Sequence, residues 1–192
     1  MAGIDFQTET ARAEEVAGGG WTARELCLLN AERKAVEVAS RFPYCVVLGA
    51  DTVVSLEGQV FGKPGDFHEA RAMLERLCGR VHEVLTGVCL VQKCERKLCR
   101  FVESTRVKFR SRQAVDPEDY LRSIHPLDKA GGYSAQEDRG RLIECVEGSM
   151  SNVIGLPMER VLAALNKHFL TKAREGRHCQ SPAPEPRVKS AM

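Results

Sequence analysis

Residues 44–64, YCVVLGADTVVSLEGQVFGKP, decide how the chain is organised. They open on a short apolar run, Cys45-Val46-Val47-Leu48, of the length expected for a strand buried on both faces. The run breaks at Gly49 and Ala50, two small residues that let other atoms approach the backbone closely. Asp51 and Thr52 follow, then the β-branched pair Val53 and Val54. Glu57-Gly58 reads as a turn that returns the chain to Gly62-Lys63-Pro64. A carboxylate at the end of a buried strand is costly unless it is paired or binds a cation. Strand ends in α/β proteins are also where ligands sit. Asp51 is therefore the candidate chemical centre, with Lys63 a cation brought near it by the hairpin. On residue types alone, the plainer alternative is a turn-capping Asp and a solvated loop Lys.

Working outward, 192 residues make one domain with room for a real core. Hydrophobic residues at 43% and charged residues at 28% are ordinary for a soluble globular protein. No apolar run approaches the roughly 20 residues of a membrane helix, and MAGIDFQTET lacks a basic-then-apolar leader pattern. The expectation is a cytoplasmic protein with no membrane partner. The formal charge of +2 is unevenly placed: residues 171–192 hold five Lys/Arg against two Glu, so the other 170 residues carry about −1. The excess basicity belongs to the tail, which argues against a nucleic-acid partner for the fold. Most of the eight cysteines sit in apolar patterns as small hydrophobes. Cys89, Cys94 and Cys99 are evenly spaced, but without a Cys-x-x-Cys or a nearby His pair they make a poor zinc set.

Residues 1–20 are poorly patterned and end in a glycine triplet after Glu14-Glu15, a pair most simply read as solvated charge. Thr22 and Glu25 have capping-box spacing, opening a helix to about Ser40 that carries Leu26, Leu29, Val36, Ala39 and Lys34. Asp66 and Glu69 cap a second helix, with Ala70, Met73, Leu74 and Leu77 at helical spacing and Gly79 as its stop. Residues 82–91 and 98–109 read as strands joined by a hairpin turn at 94–97. Asp116-Pro117 starts a third helix. It leads to an irregular loop, HPLDKAGGYSAQEDRG, of a kind that is more often functional than not. A strand at 142–146 and an amphipathic helix with Val161, Leu162, Leu165 and Phe169 complete the globular part. The Pro-rich basic residues 171–192 are expected to be disordered. Interleaved strands and helices define an α/β fold with a mixed sheet flanked by helices.

Neither a Walker signature nor a Gly-x-Gly-x-x-Gly fingerprint is present, and no Ser occupies a nucleophile elbow. Two carboxylate sites (Glu15, Asp51) and three lysines (Lys34, Lys63, Lys129) suit a polyanion held with a divalent metal. Water attack on phosphorus then needs a general base and charge neutralisation. A scatter of surface charges has the same spacing.

The segments LGADTVVSLEGQVFGKP, AMLERLCGRVHEVLTGV, ESTRVKF, HPLDKAGGYSAQ and GSMSNVIGLP resemble, in order and separation, the motifs of the Maf nucleotide pyrophosphatases. The resemblance runs from about residue 4 to 169. It implies a Maf-like architecture, similar to inosine triphosphate pyrophosphatases, with a twisted mixed sheet and a cleft. It further implies hydrolysis of a nucleoside triphosphate to the monophosphate and pyrophosphate, with Mg or Mn as cofactor. Asp51 then takes the role of general base, with Lys63 and Glu15 as further catalytic residues, and Glu15 and Asp51 are the metal ligands. Lys34, Asp128 and Lys129 fall on substrate-binding positions, while Thr52 and Gln136 fall on the positions that help select the base. DT together with DKAGGYSAQ is similar to the branch acting on dTTP and UTP. An amide at Gln136 can donate and accept, which suits the imide edge of uracil or thymine. The resemblance also makes a homodimer plausible.

One departure is large. Family members begin with a strand and a Ser-x-Ser-Pro-Arg-Arg loop, and neither is found here; Ile4-Asp5-Phe6 starts where the following helix has ended. A coding start placed too far downstream is the favoured explanation, and a shortened member with impaired catalysis is the other. Loss of a strand is expected to leave an unpaired sheet edge. His125 also stands where Glu is usual in the family. The alternatives carried forward are a 7-methylguanosine triphosphate pyrophosphatase of the same family, and a non-catalytic nucleotide-binding or cell-division regulator.

Overall fold

The computed structural model describes residues 4–170 and the backbone of 188–191. Its centre is a mixed sheet in the spatial order β1-β7-β2-β4-β5-β6, with β3 paired to β2. The strands are β1 (Phe6–Thr8), β2 (Val46–Leu56), β3 (Gln59–Phe61), β4 (Val81–Gln92), β5 (Lys97–Phe109), β6 (Ile143–Glu147) and β7 (Val188–Ala191). From β2 to β6 every pairing is antiparallel. β7 lies parallel to both β1 and β2.

β2 does not stop before Asp51. Gly49, Ala50 and Asp51 stay in the ladder opposite Cys89, Val88 and Gly87 of β4, so the acid sits in mid-strand and not at a strand end. Its other edge is interrupted. β7 pairs with residues 46–49 and β3 with 54–56. Ala50, Asp51, Thr52 and Val53 are thus left without a strand partner on that side among the described residues. The two-residue period then sorts the side chains. Val47 and Val53 pack under the long helix α1 (Ala23–Arg41), while Val46 and Leu48 meet α5 (Met158–Leu165) on the opposite face. Val54 and Leu56 join a second lobe around α2 (Phe67–Leu77) and α3 (Pro117–Leu121).

α1 starts with the expected capping box: Thr22 Oγ1 accepts from the Glu25 amide at 3.3 Å, and Glu25 accepts from the Thr22 amide at 3.0 Å. Its buried stripe is Leu26, Cys27, Ala31, Ala35, Val38 and Ala39, and it also contains Asn30 and Lys34. Val36, expected on that stripe, is 45% exposed. The helix comes close to the sheet because two strand residues have no side chain. A Cβ at Gly49 would lie 2.8 Å from the Ala35 amide nitrogen, and one at Gly87 would lie 2.6 Å from that of Leu28. These glycines let α1 sit with its backbone on β2 and β4.

α2 is capped by Asp66, whose side chain accepts from the Glu69 amide at 2.7 Å, and Gly79 follows it at φ 73. Three features differ from the sequence reading. Residues 6–8 form a strand where none was expected. Residues 150–154 form a separate short helix, α4 (Met150–Ile154), before Gly155 and Pro157 break the path to α5. Residues 188–191, expected to be disordered, form β7 and pair with residues 46–49 of the β2 edge that was expected to stay unpaired. Unpaired N–H and C=O groups on a sheet edge are a template for any available strand, and the C-terminal residues fill it here. The rest of the tail, 171–187 and 192, lies outside the described residues. Among the described residues no helix is long and apolar enough to cross a membrane.

Candidate active site

The interrupted edge of β2 opens into a cleft of about 590 Å³. Lys34, Asp51, Thr52, Lys63, Asp128, Lys129 and Gln136 all line it. Seven of the eight side chains picked out from the sequence therefore share one cavity. The eighth, Glu15, reaches it through an ion pair to Lys34. Asp51 and Thr52 face opposite sides of the sheet, and the cleft reaches both because no strand among the described residues covers the edge between β7 and β3.

On the α1 side, Lys34 Nζ donates to Asp51 Oδ1 at 2.8 Å and to Glu15 Oε1 at 2.7 Å. Its side chain is only 8% exposed, whereas that of Glu15 is 48% exposed. Asn30, one turn before Lys34 on the same helix face, holds this arrangement together. Its Oδ1 accepts from the Val16 amide at 2.8 Å, and its Nδ2 donates to the Val16 carbonyl at 3.1 Å. That two-point clamp fixes the chain beside Glu15, and the same amide reaches Asp51 Oδ2 at 3.4 Å. Asn30 was missed in the sequence. The available signal was a polar pair at i and i+4 inside an otherwise apolar stripe.

Burial sets the charges in this cluster. It raises the pKa of Asp51 above the ordinary aspartate value, outweighing the attraction of Lys34. Burial also works to lower the pKa of Lys34, but Asp51 and Glu15 overcome it and the net shift is upward. Glu15 is lowered, chiefly by the hydrogen bond from Lys34. At neutral pH the cluster is a cation between two anions, and Asp51 is a stronger base than a free aspartate.

The opposite wall comes from residues 126–136. Two short 3-10 turns, Pro126–Asp128 and Ala130–Gly132, give this loop its shape. Gly131 (φ 73) donates its amide to the Gly62 carbonyl at 2.9 Å, tying the loop to the hairpin that carries Lys63. Tyr133 anchors the far side: its hydroxyl lies 3.1 Å from His82 Nε2, and its ring packs edge-on against Phe109. Lys129 pairs with its neighbour Asp128 at 2.8 Å in partial exposure, an arrangement worth little in itself.

The carboxylates can be tested against a hard cation. No group of three or more His, Cys, Asp or Glu side chains suited to a metal occurs among the described residues. Mg or Mn, however, is commonly held by one or two carboxylates together with waters and substrate phosphates. Glu15 and Asp51, both within reach of Lys34, supply such a pair of oxygen donors, so the donor set fits.

The chain as a whole matches a described group of proteins. The model of the Maf-like protein family matches residues 1–168, and the chain belongs to that family. The dTTP/UTP pyrophosphatase of Myxococcus xanthus (strain DK1622) is 44% identical over 164 residues, 85% of this chain and 82% of that protein. Those of Clostridioides difficile (strain 630) and Pelotomaculum thermopropionicum, similarly named, are 40% and 39% identical, each covering 86% of both chains.

Proposed function

We propose that the chain is a nucleoside triphosphate pyrophosphatase that hydrolyses dTTP or UTP to the monophosphate and pyrophosphate. The observation that carries this reading is the convergence on one cleft of the Glu15–Lys34–Asp51 cluster, the cations Lys63 and Lys129, and the base-selecting candidates Thr52 and Gln136. Asp51 accepts a proton from the attacking water, a task its raised pKa suits. Lys34 keeps Asp51 ionised and oriented for that step. Lys63 and Lys129, from two segments joined by the Gly131–Gly62 hydrogen bond, offset the charge of the phosphate chain. Glu15 and Asp51 would hold a divalent cation, which when bound supplies charge neutralisation at the phosphates and a more acidic water. Asp128 orients Lys129. The same reading is compatible with a cytoplasmic location and with a homodimer, the second of which light scattering of the purified protein checks.

A substrate panel tests the reading. Purified protein with magnesium or manganese is expected to release pyrophosphate from dTTP and UTP. A preference for 7-methylguanosine triphosphate would move it to the other branch of the family. Nucleotide binding by calorimetry with no pyrophosphate released would make it a non-catalytic binder.

A further inference from the structure

Thr86 lies directly across from Thr52 in the β2–β4 ladder, is fully buried, and was not among the residues picked out from the sequence. The two hydroxyl oxygens are 2.9 Å apart, and Thr52 Oγ1 also lies 3.3 Å from the carbonyl oxygen of Gly155. The protons can be assigned by counting. A threonine hydroxyl has one proton to donate and two lone pairs. The Gly155 carbonyl can only accept. If Thr52 donated to Thr86, the carbonyl would lose its side-chain donor, and the buried Thr86 proton would have no acceptor among the described residues. Both protons are used only in the sequence Thr86 O–H to Thr52 O–H to Gly155 C=O. A buried donor left unmade is costly, which favours that one direction.

Thr52 lines the cleft together with Gln136. With its proton committed to Gly155 and one lone pair taken by Thr86, it retains one lone pair and no free proton. We propose that Thr86 is a positioning residue that fixes Thr52 as an acceptor. The base subsite then favours a pyrimidine whose ring N3 carries a proton, uracil or thymine, over cytosine, whose N3 is a lone pair. Two acceptors facing each other repel, and an unpaired polar contact discriminates far more strongly than a missing methyl group. The inference rests on the cleft being a nucleotide site with Thr52 near the base.

The experiment compares kcat and KM for UTP and CTP in the wild type and in Thr86→Val, Thr86→Ser and Thr52→Val. Thr86→Val keeps the branched shape and loses the donor, so Thr52 can turn its proton into the cleft and donate to cytosine N3. The expected result is a fall of about tenfold in the UTP-over-CTP preference. It should act through KM, leave kcat for UTP close to wild type, and be restored by Thr86→Ser. An unchanged preference in a folded Thr86→Val, with wild-type UTP turnover intact, overturns this inference and leaves the pyrophosphatase reading standing. A wild type that hydrolyses neither UTP nor dTTP removes the reading beneath it. If Thr86→Val does not fold, Thr86→Ala is measured in its place: loss of the preference supports the inference, and its retention overturns it.

Discussion

Lys34 Nζ lies 2.8 Å from Asp51 Oδ1, and both side chains are nearly closed off from solvent, at 8% and 11% exposure. The pair joins the middle of α1 to the middle of β2. It exists because Gly49 and Gly87 let that helix settle onto the strands.

Asp51 is expected to set the acidic limb of the pH–rate profile. Its pKa is raised by burial, so kcat/KM should fall on acidification at a pH above the ordinary aspartate range. Lys34 pulls in the opposite direction. Lys34→Gln should therefore move that limb to still higher pH, besides destabilising the fold by about 3 kcal/mol as one partner of a buried pair is removed. A pH series with the two proteins measures both effects. A limb that does not move would mean Asp51 is not the titrating group.

Gly49→Ala and Gly87→Ala should each be destabilising. A new Cβ meets helix backbone, which cannot swing aside as a long side chain can. About 3 kcal/mol is expected, near the upper end of overpacking costs. The displaced helix carries Lys34 with it, so activity should fall as well. Urea titrations and turnover on the same preparations check this. Gly58, with nothing within 4 Å of its Cβ position but at φ +83, is the comparison that isolates backbone strain from crowding.

His82 gives the fold an acid limit. It is 1% exposed, and burial pushes its pKa down from 6.5 to about 4. The unfolded chain binds the proton more readily, so stability from this group is full above pH 6.5 and is lost as pH falls toward 4. The loss is at most about 3 kcal/mol. Denaturation midpoints in this range should drop for the wild type and be flatter for His82→Phe, which keeps an aromatic ring beside Phe109 and Tyr133.

Most of the fold was legible because its signals are local. Thr22 with Glu25, Asp66 with Glu69, and the Glu57-Gly58 turn are short-range chemistry that the structure repeats almost residue for residue. What was not legible depends on distant partners. β7 is a short segment whose pairing is decided by the free edge of β2, and β1 pairs in turn on β7; no periodicity in residues 6–8 or 188–191 announces either. Asp51 seemed to end a strand because Gly49 and Ala50 interrupt the apolar run. In fact the small residues make room for α1, while the ladder continues. The site follows the same division. Asp51, Lys63 and Lys129 stood out as charges near glycine-rich turns, and the family resemblance added roles. Asn30 and Thr86 act only on groups brought from other segments, 14 or more positions away in sequence.

The most direct test of the account is the turnover of Asp51→Asn with UTP or dTTP. The change keeps the shape of the side chain and leaves Lys34 its bond to Glu15. The account predicts a kcat lower by about a hundredfold or more, with a melting temperature close to wild type. Wild-type turnover in a folded Asp51→Asn would contradict it.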